Sequence, residues 1–260
     1  MKEMKKIIIA AICVIGLVGG SYAATVTWDD GGADSLWSTA LNWDTDTVPT
    51  SSDDAIITAP NTTALIDNTV SAVASTLDVG HENGPSELHI TGGTLAVSGA
   101  VRPGYGGGAA GAKAGTINMD GGSVTIGGNL QLGLWGHGIV NMTAGTITVS
   151  GWLVSAENAE GQIQLDGGVL DVAVLSPRNN GVMDLNGGTN IYTQYDADWS
   201  AYPTVEEAIT NGLITAKHGT GTVVVDTTTY SGRTALYAIP EPATIIMLSI
   251  LGLAVFRFRK

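Results

Sequence analysis

Residues 140–149 read Val-Asn-Met-Thr-Ala-Gly-Thr-Ile-Thr-Val, and 23 residues further on residues 163–172 read Ile-Gln-Leu-Asp-Gly-Gly-Val-Leu-Asp-Val. In both segments apolar and polar residues alternate, a glycine interrupts, and the alternation resumes. Period-two patterning on either side of a glycine turn predicts strand, corner, strand. The same motif recurs around Gly93, Gly122, Gly145, Gly168 and Gly188, at spacings of 29, 23, 23 and 20 residues. That is the length of one coil of a solenoid, in which a single supersecondary unit buries its apolar face only by stacking on its neighbours.

Aligned on these glycines, the apolar positions fall into columns. Five residues before the anchor stand Leu88, Ile117, Val140, Ile163 and Met183, and three before it Ile90, Met119, Met142, Leu165 and Leu185. After it come Leu95, Val124, Ile147 and Leu170, then Val97, Ile126, Val149 and Val172. A further apolar position at Val101, Leu130 and Leu153 predicts a third side. Between the inward columns lies a polar one, His89, Asn118, Asn141, Gln164 and Asp184, expected to face out and stack as a ladder at the spacing of adjacent strands. The reading is an all-β chain: a parallel β-solenoid, right-handed β-helix-like, with a short N-terminal cap and a small C-terminal cap of a helix plus strands.

The caps follow from the need to cover unpaired edges at both ends of the stack. Ahead of the repeats, Trp28, Trp37 and Trp43 lie within sixteen residues and can cover an apolar end. This opening resembles that of exported, repeat-containing proteins related to autotransporter passenger regions. Behind the repeats, Thr204-Val205-Glu206-Glu207 is a capping box, predicting a short helix to Asn211-Gly212. Strands around Val223 to Val225 and Thr234 to Ala238 then close the domain.

The chain begins with Lys2, Lys5 and Lys6, an apolar run from Ile7 to Val18, and Ser21-Tyr22-Ala23. A basic start, a short apolar core and small residues before a cut predict a secretory signal peptide cleaved between Ala23 and Ala24. Twelve apolar residues are too few to span a bilayer. Cys13, the single cysteine, lies in that apolar core, so disulfides play no part in the mature fold. At the other end come Pro240-Glu241-Pro242, an apolar run from Ala243 to Phe256, and Arg257-Phe258-Arg259-Lys260. These residues resemble the PEP-CTERM sorting signal: the Pro-Glu-Pro motif, a short transmembrane helix, and a basic stop at Arg257, Arg259 and Lys260. The segment before it is similar to modules that precede such tails. The resemblance implies recognition by an exosortase, cleavage near Pro240, and a bacterium that makes exopolysaccharide. The expected organisation is a signal peptide over 1–23, a Trp-rich cap over 24–64, the solenoid over 65–197, a capping module over 198–238 and the sorting tail over 239–260.

The segment 24–238 carries 22 acids against 5 bases, a net charge of −17, which argues against nucleic acid as a partner. Catalytic constellations are sparse. The column two before the anchor reads Thr91, Asp120, Thr143, Asp166, Asn186, so its two acids are separated by an intervening coil rather than paired as glycosidase carboxylates on adjacent coils. Arg102 and Arg178, the candidate bases of a lyase, are expected at insert or corner positions far apart in register. The four histidines lack metal-site spacing, there is no Gly-x-Ser-x-Gly elbow, and no cofactor is expected. Trp135, Trp152 and Tyr105 fall on the variable side of successive coils, where outward rings would stack on carbohydrate and inward rings would fill corners. The expected role is an exported, exosortase-sorted surface or matrix protein, structural or adhesive and not an enzyme. It would pass from signal peptidase through an inner-membrane intermediate to the cell surface, with exopolysaccharide as a candidate partner. A polysaccharide-active β-helix lyase or glycosidase, or a carbohydrate-binding module, is the alternative.

Overall fold

The computed structural model describes residues 23–81, 84–106 and 114–239. Over these the chain winds as a parallel β-solenoid of about six coils, each built of three strands. The first face stacks Thr63–Ile66, Ser86–Ile90, Gly115–Met119, Gly138–Met142, Gly161–Leu165 and Gly181–Leu185 in parallel register. A second face follows each glycine corner, with Ser71–Ala74, Thr94–Val97 and Ser123–Ile126 leading into the first halves of Thr146–Val154, Val169–Ser176 and Thr189–Tyr195. The third comprises Thr76–Val79, Val101–Pro103, Leu130–Gln131 and the second halves of the same long strands.

The columns legible in the sequence are the true registers. Leu88, Ile117, Val140, Ile163 and Met183 pair strand to strand, as do Leu95, Val124, Ile147 and Leu170, and Val101, Leu130 and Leu153. All these side chains are buried, forming one core along the axis. Each fully buried aliphatic side chain contributes about 1.5–3 kcal/mol. The anchors Gly93, Gly122, Gly145 and Gly168 take φ of 64°, 78°, 85° and 74°, a left-handed conformation that turns the first face into the second and that a side chain would strain. The first coil is a complete three-strand turn of Thr63–Ile66, Ser71–Ala74 and Thr76–Val79.

Both ends are closed. Thr25–Trp28 and Asp54–Ile57 continue the third face in parallel beyond Thr76–Val79. Trp28, Trp37 and Trp43 are buried and meet edge to face, with centroids 5.1 Å apart for Trp28 and Trp43 and 4.8 Å for Trp37 and Trp43. The exposed edge of Thr63–Ile66 is taken up by Leu65 N–H donating to the Ser35 carbonyl at 2.7 Å and Trp37 N–H donating to the Leu65 carbonyl at 2.9 Å. At the far end Ile214–Ala216 adds to the first face. The hairpin of Thr222–Asp226 and Thr234–Ile239 lays its second strand antiparallel on Thr189–Tyr195, which ends the parallel stacking. Just ahead of Ile214–Ala216 the helix Val205–Thr210 starts where the Thr204 hydroxyl accepts from Glu207 N–H at 3.2 Å.

Candidate functional site

The outer surface of the first face is a polar lattice, and its bonds run differently from the expected ladder. Asn141 Nδ2 donates to Asn118 Oδ1 at 2.8 Å, a true rung, but Asn118 Nδ2 turns sideways to Glu87 Oε1 at 2.8 Å. His89 Nε2 lies 2.8 Å from Asp120 Oδ2, and Gln164 Nε2 donates to both oxygens of Asp166 at 3.0 and 3.1 Å. A ladder needs identical amides at each step. With His, Asn, Gln and Asp in one column, the side chains find complementary partners in the neighbouring column instead. Asp184, expected outside, is only 6 % exposed: Ile214–Ala216 and the turn after it cover the position, and its carboxylate accepts from Thr215 Oγ1 at 2.7 Å and from His218 N–H at 3.0 Å.

The two acids of the adjacent column are engaged in the same lattice. Asp120 Oδ1 accepts from the Thr143 hydroxyl at 2.6 Å, and that bond, followed by His89, holds its carboxyl below the usual range. Asp166 Oδ1 accepts from Asn186 Nδ2 at 2.6 Å. With its carboxyl stabilised as the anion, Asp120 is poorly suited to donate a proton at neutral pH. Among the described residues no three His, Cys, Asp or Glu side chains converge on a point where a metal ion could sit.

The third face holds a charged pair whose partnership was not read from the sequence. Arg102, expected at an insert or corner, is the middle residue of Val101–Pro103 and stacks in register on Asp78. Its Nε donates to Asp78 Oδ1 at 2.6 Å and its Nη2 to Oδ2 at 3.1 Å. Asp78 is 4 % exposed, and burial pushes its pKa up despite the opposing pull of Arg102. Carrying the third-face column one residue beyond Val101 and Leu77 would have exposed this pair. Arg178 does lie at a corner, after Val169–Ser176.

The three rings singled out for carbohydrate stacking do not share a platform. Trp135 is 54 % exposed in the turn beyond Leu130–Gln131, its backbone N–H donating to the Gly104 carbonyl at 3.1 Å. Trp152 is half-buried at the start of the third face, opposite Val174, where the register of Thr146–Val154 shifts. Tyr105 stacks on His81 with centroids 5.0 Å apart, and the Arg102 guanidinium carbon lies 4.2 Å from its ring centre. Trp199, which the sequence reading did not single out, is 67 % exposed. The signal was available: Trp199 falls outside every inward column, in a stretch without alternation.

The proposed cleavage point is accessible, since Ala23 and Ala24 are exposed just ahead of Thr25–Trp28. The rest of the expected signal peptide, and the expected sorting tail with Pro240, Glu241, Pro242, Arg257, Arg259 and Lys260, lie outside the described residues. Among the described residues no helix is long and apolar enough to cross a membrane. No family model, no curated protein and no solved structure matches the chain.

Proposed function

We propose that this chain is an exported surface or matrix protein with a structural or adhesive role, handed to an exosortase by its tail, and not a catalyst. The observation that carries the reading is the solenoid's outer lattice: amides, carboxylates and a threonine hydroxyl of the first face bond one another from coil to coil, a repetitive surface that supports a structural role. The basic and apolar start, the Pro240-Glu241-Pro242 motif and the basic end supply the route. An acidic body with a net charge of −17 over 24–238 suits a hydrated extracellular setting.

The test places an epitope between Gly108 and Ala109 and follows the protein in an exosortase-positive host and its exosortase deletion. The expected result is a product ending near Pro240 at the surface or in the matrix of the first strain, with the full-length form accumulating in the inner membrane of the second. An intact, membrane-held tail in both strains refutes sorting.

A further inference from the structure

In the last coils, the corner joining the third face to the following first face opens into a cleft of about 470 Å³, lined by Glu157, Asn158, Arg178, Asn179, Asn180 and Trp199. Its two principal side chains are set by one buried group. Asp196, 4 % exposed, accepts from Asp198 N–H at 3.3 Å and Trp199 N–H at 3.1 Å through Oδ1, which fixes the turn that presents the indole. Its Oδ2 accepts from the Ser176 hydroxyl at 2.7 Å, and the same hydroxyl accepts from Arg178 Nε at 3.2 Å. Arg178 N–H is tied to Ser155 Oγ at 3.0 Å, and Ala201 N–H to the Pro177 carbonyl at 2.9 Å. Thus a buried carboxylate holds both the aromatic turn and, through Ser176, the arginine. Among the described residues no carboxylate pairs with Arg178, so the end of its guanidinium is available to the cleft.

Trp199 is the most exposed large apolar side chain among the described residues, and it borders the cleft among polar side chains, the amphipathic setting in which an indole serves as a contact surface. The surroundings define what fits against it. A flat ring bordered by three asparagine amides, an arginine and a glutamate presents one apolar plane and a dense rim of both donors and acceptors. A pyranose matches this, with a C–H face to lie on the indole and hydroxyls around its edge that both donate and accept. Glu157 in the cleft and the net negative charge of the solenoid disfavour an anionic ligand. We propose that this cleft binds a neutral hexopyranose unit of a polysaccharide, with Trp199 as the stacking platform and Arg178 and the asparagines bonding the hydroxyls. The site belongs to the folded solenoid and does not depend on the route by which the protein is exported.

The full chain, purified in mild detergent, is run on native gels containing a neutral glucan, mannan or galactan, and in parallel on alginate and polygalacturonate. An oligosaccharide of any retarding polymer is then titrated by calorimetry. Retardation by at least one neutral polymer is expected, with affinity falling about tenfold or more in Trp199→Ala and several-fold in Arg178→Gln. Trp199→Phe keeps a ring in place and is expected to retain most of the affinity, while Trp135→Ala leaves it unchanged. Because Trp199 is exposed, its variants should melt with the parent. No retardation by any neutral polymer, retardation by the acidic polymers alone, or binding that Trp199→Ala leaves intact overturns the proposal. Each of these outcomes is independent of the localisation experiment.

Discussion

Gly161→Ala tests whether the coil corners are as tight as the register implies. Gly115, Gly138, Gly161 and Gly181 pair in one column at the entry to the first face. A Cβ on Gly161 would stand 1.6 Å from the Ser155 carbonyl oxygen and 2.7 Å from its carbon. Restoring an ordinary contact of about 3.4 Å requires a shift of roughly 1.8 Å. The obstruction is backbone, so no rotamer change relieves it, and the coil is held in place by Gly161 N–H donating to the Asn180 carbonyl at 3.1 Å and Ser155 N–H donating to the Ser176 carbonyl at 3.4 Å. The expected cost is at the upper end of overpacking, about 3 kcal/mol. For a chain of this size that lowers Tm by about 6–12 °C. Gly219→Ala is the control: its φ is +80° and nothing lies within 4 Å, so it suffers backbone strain alone. That strain costs about 1 kcal/mol, or about 2–4 °C. Thermal melts followed by far-ultraviolet circular dichroism compare the two. If Gly161→Ala melts within about 2 °C of the parent, or above Gly219→Ala, the steric reasoning is refuted.

Arg102→Met should leave Asp78 buried without its cation and destabilise the solenoid by about 3 kcal/mol at pH 7. Because the variant's Asp78 is then driven further toward its neutral form, stability relative to the parent should recover as pH falls. Denaturant titrations at pH 7 and pH 4 check both the loss and its direction. Burial, opposed by a hydrogen bond to Thr234, pushes the Tyr192 phenol up to about 12 from its ordinary 10.0. The folded state therefore keeps this proton after the unfolded chain has released it. The stability it contributes is full below pH 10 and is lost as pH rises toward 12. Tyr192→Phe, compared with the parent by denaturant titration at pH 9 and above pH 11, should show a shallower alkaline decline, and an unchanged decline would contradict the assignment.

The inward half of the fold was legible because every coil repeats the same physical demand. An aliphatic side chain at Ile117 must sit under one at Val140 and over one at Leu88, so the requirement prints itself as a column in the sequence. The second glycine column, at Gly115, Gly138, Gly161 and Gly181, carries the same kind of regularity. It escaped notice because these glycines do not adopt positive φ and precede rather than interrupt the alternation; only their crowding in three dimensions gives their reason. Outward positions answer to local neighbours. Whether Asn118 bonds Asn141 or Glu87, and whether Asp184 faces water or Thr215, depends on what the adjacent column and the cap supply.

The corners are harder still to read, since their lengths vary and register is lost across them. There Asp196, Ser176, Arg178 and Trp199, from successive coils, are brought into one hydrogen-bonded set without any shared spacing in the chain. A solenoid thereby separates two kinds of information. The repeat fixes the rod through columns that tolerate little change, while the irregular corners are free to vary one coil at a time without disturbing the stack. A recognition site on such a rod is therefore to be sought where the periodicity fails, and the exposed Trp199, held over a cleft by a buried carboxylate, stands at that kind of place.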